Sequence, residues 1–429
     1  MSKKYTALVF QVIPLIITFN LWLLSKESVI SITQTPLRSL AQILGLMGFV
    51  LMAINLVMAT RARWVESVFG GLDKVYLSHH ILGSVAFVLL LNHPLFMVVN
   101  SLPSLFLAKS YLLPGSDWSY NFGILALYLM FFAFIFIVIV RIPYQKWLQT
   151  HRLLALTFGL ACIHLLLISS DVSNSLILRW WMLIVAGGGS GAALYTLFMY
   201  KGYGPKYDYI VEKIERRLDI VNVYLRPAGP KISYWPGQFA YVVFENKEAG
   251  GESHPFSFSN YSRETIRFSV KALGDYTLKV PTIRAGDRAE IFGPYGRFGH
   301  SLLSEKREMI WIAGGIGVTP FLSMLDFQNQ HPSGQKIDFF YGFGAAEEGV
   351  FVEEIEKLAQ GTQIAVHPWC SAQKGRLAVE QIKALGGDNL AAKTILICGP
   401  QAMMENFRAQ FLKEGVPEKQ ITFENFNLI

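Results

Sequence analysis

Residues 76–99, YLSHHILGSVAFVLLLNHPLFMVV, are apolar enough to span a bilayer and yet carry three histidines. A histidine inside a membrane helix is costly and marks a pathway, a proton relay or a ligand. His79 and His93 lie fourteen residues apart, which at about 100° per residue returns them to within roughly 40° of one helix face. The same spacing separates them by about 21 Å of rise against a hydrocarbon core of about 30 Å, so one imidazole falls in each leaflet.

A second such stretch, residues 151–168, HRLLALTFGLACIHLLLI, places His151 and His164 thirteen apart. A single intramembrane histidine is more often a polar residue bonded to a neighbouring helix than a ligand. Four at matched depths on two helices instead describe two metal centres stacked across the membrane. Iron porphyrin suits them, because a bis-imidazole haem takes one histidine from each side and apolar surroundings accommodate the macrocycle. The expected pairs are His79 with His151 and His93 with His164. His80 competes with His79: a weak repeat aligns His80 with His151 and Phe87 with Phe158, whereas helical angle favours His79.

The 429 residues are 52% hydrophobic and only 16% charged, which describes a membrane protein with a soluble portion. Six runs are long enough to span: Tyr5–Leu24, Leu40–Thr60, Tyr76–Val99, Phe122–Val140, Leu153–Ile168 and Leu178–Met199. The fifth is short unless it begins at Trp147. The first follows Met-Ser-Lys-Lys like a signal peptide, but no small-residue cleavage site follows Leu24, so it is read as a helix. Lys3, Lys4, Arg61, Arg63, Lys74, Arg141, Lys146, Arg152, Lys201 and Lys206 fall at the ends and even-numbered connections, against Lys26, Arg38, Lys109 and Arg179 elsewhere. Both termini are therefore expected in the cytoplasm, with His79 and His151 forming the inner pair. The net charge of +7 then reflects topology, and no basic surface with interleaved aromatics suggests nucleic acid. Cys162, Cys370 and Cys398 show neither ligand nor disulfide spacing.

Beyond Lys201-Gly-Tyr-Gly-Pro205, short alternating runs broken by glycine and proline read as a small antiparallel barrel. Its landmarks are Pro236-Gly237-Gln238-Phe239, His254-Pro255-Phe256-Ser257-Phe258-Ser259, Lys271-Ala-Leu-Gly274-Asp-Tyr-Thr277 and Gly293-Pro-Tyr-Gly296. From Met309 strands alternate with helices, as in a doubly wound sheet. The sharpest element, MIWIAGGIGVTPFLSML, combines a strand, a loop of Gly314, Gly315 and Gly317, Thr319 as N-cap and Pro320 at the first helical position. Amides at such a helix start cradle a dinucleotide pyrophosphate. A second strand-to-turn, Cys398-Gly399-Pro400, lies downstream, where Cys398 is equally well a small core residue.

In this order the landmarks resemble the ferredoxin reductase superfamily, and with the six spans the chain resembles the NADPH oxidase and ferric reductase family, its bacterial NADPH oxidases in particular. The implied architecture is a six-helix transmembrane bundle with two b-type haems (residues 1–201), an antiparallel β-barrel FAD domain (205–303) and a doubly wound α/β NAD(P)H domain (308–429). The resemblance implies that His254, Phe256 and Ser257 meet the pyrophosphate, ring face and N5 region of FAD, within a binding strand that includes Pro255, Phe258 and Ser259. It assigns Lys271, Gly274 and Thr277 to the second phosphate contact, Cys398, Gly399 and Pro400 to the nicotinamide side, and Phe426 to covering the flavin. Ser257, Cys398 and Phe426 are the implied catalytic residues. Histidine at 254 replaces the usual arginine, which predicts looser FAD binding. The family pattern also supports His79.

The resemblance further implies a route from NAD(P)H through FAD, the inner haem and the outer haem to oxygen outside the cell membrane, with superoxide as product. Chelated ferric or cupric ion is the rival acceptor. Glu347 or Glu348 suits a ribose hydroxyl and Arg376 a phosphate, so both NADH and NADPH stay open. No twelve-residue calcium loop is present, which predicts activity without calcium or an activating protein. A haem transporter or sensor explains the histidines but not the two-domain tail. A subunit donating electrons to an external partner uses every motif and differs only in needing that partner.

Overall fold

The apolar runs become long helices in a computed structural model that describes residues 3–26, 29–102, 104–140, 142–262 and 264–424. The chain divides into two units, Met1–Tyr203 and Gly204–Ile429. Among the described residues of the first, six helices are long and apolar enough to cross a membrane. They are α1 (Lys3–Leu24), α2 (Pro36–Ala59), α3 (Leu72–Asn100), α4 (Trp118–Phe134), α5 (Tyr144–Leu167) and α6 (Leu176–Leu194). Helices α4 and α6 each continue into a π-helical turn, at Ile135–Ile139 and Tyr195–Met199. The fifth helix begins at Tyr144, well before the apolar run, because YQKWLQTHR continues the helix beyond the hydrocarbon-like residues. His151 therefore lies inside a regular helix and not at its edge.

Two hairpins dominate the bundle: α3 packs most extensively on α2, and α5 on α4. They are joined crosswise by aromatic stacks. Phe87 of α3 lies on Phe134 of α4 with centroids 3.9 Å apart, and Phe158 of α5 lies on Phe49 of α2 at 4.8 Å. Both stacks fall between the inner and outer histidines in sequence.

In the second unit, β1 (Lys206–Arg217), β2 (Ile220–Pro227), β3 (Phe239–Glu245), β4 (His254–Ser257), β5 (Ile266–Lys271) and β6 (Arg288–Tyr295) form an antiparallel sheet in the order β4-β3-β6-β1-β2-β5. A bridge between Phe258 and Phe268 joins the two edges and closes the barrel. Val223, Phe244, Phe258, Phe268 and Ile291 fill it, all fully buried.

The parallel sheet follows, with β7 (Met309–Gly314), β8 (Ile337–Phe343), β9 (Ile364–Cys370), β10 (Thr394–Cys398) and β11 (Ile421–Glu424) in the order β11-β10-β7-β8-β9. The chain builds outward from β7 to β9 and returns to the far side of β7. The carboxyl ends of β7 and β10 are thus the topological switch point, where open α/β sheets bind ligands. Helices α7 (Thr319–Gln330), α8 (Val352–Ala359) and α9 (Gln401–Lys413) cover the sheet. Buried Arg267 of β5 joins the two folds: its guanidinium donates to Ser259 O and, at 2.6 Å, to Glu354 of α8. Beside it Tyr261 N donates to Asp326 Oδ2, and Gly237 N to Ser323 Oγ, each at 2.8 Å.

Candidate functional site

The outer histidines are held by one device used twice. His93 Nδ1 lies 2.7 Å from Ala41 O of α2, and His164 Nδ1 lies 2.7 Å from Ser119 O of α4. A carbonyl only accepts, so each Nδ1 carries the proton and each Nε2 keeps its lone pair for a ligand. One turn beyond each carbonyl stands a glycine against the ring. A Cβ on Gly45 would sit 2.8 Å from His93 Nδ1, and one on Gly123 2.9 Å from His164 Nδ1. Only glycine lets the ring approach this closely. Both histidines line one cavity, together with Arg38, Phe49, Tyr111 and Tyr120.

The inner rings of His79 and His151 have centroids 5.8 Å apart and planes at 55°. At this separation the two rings could hold one metal-bearing group between them. His80 is exposed, 6.2 Å from His79. Trp147 stacks on His151 at 5.1 Å, and His151 Nδ1 is buried without a hydrogen-bond partner among the described residues. Asn55 of α2 is buried against the other ring's helix. With its amide turned to satisfy both contacts, it donates to His79 O at 3.1 Å and accepts from Gly83 N at 2.8 Å, inserting into the α3 ladder beside His79.

On β4, His254 and Phe256 are half-buried, and His254 stacks on Tyr276 with centroids 3.7 Å apart. Its Nε2 lies 3.0 Å from Glu252 Oε2. Burial holds this imidazole below the usual histidine value, Glu252 pulls it upward and Lys279 lowers it further. The hydroxyls of Ser257 and Tyr276 are both buried with no hydrogen-bond partner among the described residues. An orphaned buried hydroxyl carries a full desolvation cost, so two beside one strip mark a place for a polar ligand. The sequence reading missed Tyr276, whose signal was only an aromatic inside the quoted Lys271–Thr277 stretch.

Other residues of this stretch serve the protein itself. Phe258 lies inside the barrel, and Ser259 bonds Arg267 O at 3.0 Å and Ser269 at 2.9 Å, so both leave the ligand strip for the core. Lys271 pairs with Asp219 at 3.2 Å. Thr277 Oγ1 accepts from the amides of Leu273 and Gly274, each at 2.9 Å, which closes the loop on its own hydroxyl while the space beside Gly274 stays open.

At the switch point the two glycine loops meet backbone to backbone. A Cβ on Gly317 would lie 2.4 Å from Cys398 O, and one on Gly314 2.6 Å from Met403 Sδ. A Cβ on Gly399 would lie 2.5 Å from Met403 Cε, and Pro400 leads directly into α9. Gly314, Gly317 and Gly399 are therefore needed for packing, and Gly315, with φ +54° and nothing within 4 Å of its Cβ position, is the one that faces open space. Thr319 is not an N-cap. A 3₁₀ turn, Gly315–Val318, runs directly into α7, so the helical path starts earlier, and the Thr319 hydroxyl donates to Ile316 O at 3.1 Å. Thr319 and Pro320 are buried. The Cys398 thiol is wholly buried, and burial, aided by Glu424, pushes it well above its usual value: it is a packed thiol whose backbone, not its sulfur, meets the loop. Glu348 Oε2 accepts from Gly344 N at 3.2 Å, while Glu347 and Arg376 are exposed. Phe426 lies outside the described residues.

Residues 44–162 match the family described as ferric reductase like transmembrane component, and residues 311–409 match the oxidoreductase NAD-binding domain. The first match contains Gly45, His79, His93, Gly123 and His151. The reductase component of propane 2-monooxygenase from Mycolicibacterium goodii is 27% identical over 229 residues, 48% of this chain and 64% of that protein. Flavohemoprotein A of Dictyostelium discoideum is 25% identical over 256 residues, 55% of this chain and 64% of the other. The chain thus spans less than two thirds of the length of either relative. Among solved structures, flavohemoglobin from Malassezia yamatoensis, with bound FAD and heme, superposes with a TM-score of 0.52 at 16% identity, over 92% of this chain and 98% of that one. At this identity the likeness is one of fold.

Because Gly317 abuts the Cys398 carbonyl, Gly317→Ala is expected to push the two loops apart at a cost of about 1–3 kcal/mol. Thermal unfolding of the purified chain and titration with NADH and NADPH should show a lower midpoint and weaker binding of both. Unchanged values would mean that the loops separate freely.

Proposed function

We propose that this chain, a multi-pass membrane oxidoreductase of the NADPH oxidase and ferric reductase-like family, uses NAD(P)H to reduce molecular oxygen across the cell membrane, holding FAD and two b-type haems and releasing superoxide. The observation that supports it best is the outer pair, two imidazoles with the same hydrogen bond and the same facing glycine, both on one cavity. A flavin takes up an electron pair as hydride and yields it singly, and a bis-imidazole haem carries one electron at a time.

His79 with His151 and His93 with His164 would hold the two haems through their imidazole nitrogens, and the group held by His93 and His164 would pass electrons singly to oxygen, which favours superoxide as product. Phe256 would meet the flavin face, the orphaned Ser257 hydroxyl its polar edge, and His254 a phosphate; Phe426 is proposed as the cover on the other face. Gly315 and the loop at Cys398, Gly399 and Pro400 would border the nicotinamide nucleotide. In this proposal the nucleotide-binding unit and both termini would lie in the cytoplasm, and turnover would need no activating protein. A second reading rests on Arg38, exposed at the outer cavity: a cation there favours anionic acceptors such as ferric or cupric chelates.

The His254 imidazole, held below its usual value, is neutral near pH 7. A bound phosphate raises its affinity for a proton, so FAD binding takes up a proton and tightens as pH falls below neutrality, even as the unliganded fold loses stability once pH drops below the ordinary histidine value. His254→Arg should bind FAD about tenfold more tightly at about pH 7.5, since a permanent charge adds about 1.4 kcal/mol to the hydrogen bond, and should flatten the pH slope. Fluorescence titration with FAD reads both, and a wild-type affinity independent of pH would remove His254 from the phosphate.

Gly45→Ala is expected to displace the His93 ring and cost about 1–3 kcal/mol. The haem-to-protein absorbance ratio should fall in the purified variant; an unaltered ratio and spectrum would show that the ring does not ligate.

The deciding experiment is stopped-flow reduction of the purified chain with NAD(P)H and FAD under argon, followed by oxygen and a superoxide-specific probe. Haem bands that reduce and then reoxidise with superoxide release support the oxidase. Reoxidation only by ferric or cupric chelate favours the second reading, and absence of haem overturns both.

A further inference from the structure

The segment between α3 and α4 has two faces that ask for different surroundings. Its inner face is fastened to α4. Asn121, 5% exposed, bonds Gly115 twice, donating to its carbonyl and accepting from its amide, each at 2.8 Å. Tyr128 donates from its hydroxyl to Leu112 O, and Tyr111 packs edge-on against Tyr120 at 5.6 Å, where both line the outer cavity. Ala108, in the short helix Leu105–Ser110, is 4% exposed on this side.

The other face is apolar and uncovered by the chain. Leu102, Leu105, Phe106, Leu107, Leu113 and Trp118 are between 50% and 83% exposed, Phe106 most of all. Six large apolar side chains within seventeen residues form the kind of contiguous patch that soluble surfaces avoid. Lys109 among them, also exposed, has an apolar stem and a charge that reaches toward water, as interfacial lysines do. Trp118 begins α4, and tryptophan concentrates at the headgroup level. The adjoining spans expose apolar side chains as well, Leu95 and Val99 on α3 and Leu125 on α4.

We infer that Leu102 and residues 104–118 are seated in the lipid bilayer at the boundary between headgroups and acyl chains, so that lipid, and not solvent or a protein partner, covers this face and steadies the rim of the cavity through Tyr111. The occupant is lipid because the patch adjoins surfaces that already face it, and because a short apolar face beside a basic residue suits the interface plane rather than a span. This inference depends on the membrane spans alone and stands whether or not haem is bound.

The test is nitroxide accessibility in the full-length chain reconstituted into phosphatidylcholine–phosphatidylglycerol nanodiscs, in a Cys162→Ser background so that the two buried cysteines are the native thiols left. Labels are placed through Phe106→Cys, Ile184→Cys as the lipid reference on α6 and Glu264→Cys as the water reference. Relaxation by oxygen is expected to exceed relaxation by a water-soluble nickel chelate at position 106, as at 184. A chelate-dominated response at 106 matching that at 264 would overturn the inference, as would protection from both reagents, which would mean a protein partner. Leu105→Cys gives the same reading if the label at 106 disturbs folding.

Discussion

A buried neutral imidazole offers one lone pair, and the bond made by its other nitrogen decides which nitrogen offers it. The half of the bundle that carries His93 and His164 is organised around that choice. Ala41 and Ser119 take the Nδ1 protons of His93 and His164, and the missing side chains of Gly45 and Gly123 let the rings come close enough for the bonds to form. The helix pairing follows, because α3 must lie against α2 and α5 against α4 at the distance these bonds allow. The crosswise stacks of Phe87 on Phe134 and Phe158 on Phe49 then tie the hairpins together.

In the second unit close approach again does the positioning. Glycines 314, 317 and 399 let two loops pack against each other at the switch point, leaving Gly315 to face outward. The flavin-type strand divides its residues differently: His254 and Phe256 lie on the half-buried strip, while Phe258 and Ser259 build the barrel and its junction with Arg267. The unpartnered hydroxyls of Ser257 and Tyr276 lie where these two environments meet.

Much of this was legible in the chain. Apolar runs marked the spans because few soluble helices are apolar for so long, and helical rise set the spacing of the two histidines along each of α3 and α5. What could not be read depended on partners far away in sequence. Neither Gly45 nor Gly123 announces which ring it faces, since the connections from each to its histidine differ in length and hide the shared geometry. Asn55, a polar residue in an apolar run, carries no sign in the sequence of the helix it bonds. The start of α5 was missed because a helix leaving the hydrocarbon region keeps its hydrogen bonds after it loses its apolar pattern. Thr319 was misread as a cap because the 3₁₀ turn before it supplies no such pattern.

Pro94 follows His93 directly within α3. Having no amide hydrogen, it leaves the Leu90 carbonyl without its usual rung, and that gap spans the turn that carries His93 itself. The ring's bond to Ala41 O thus ties α3 to α2 in the one turn where α3 forgoes a bond to itself.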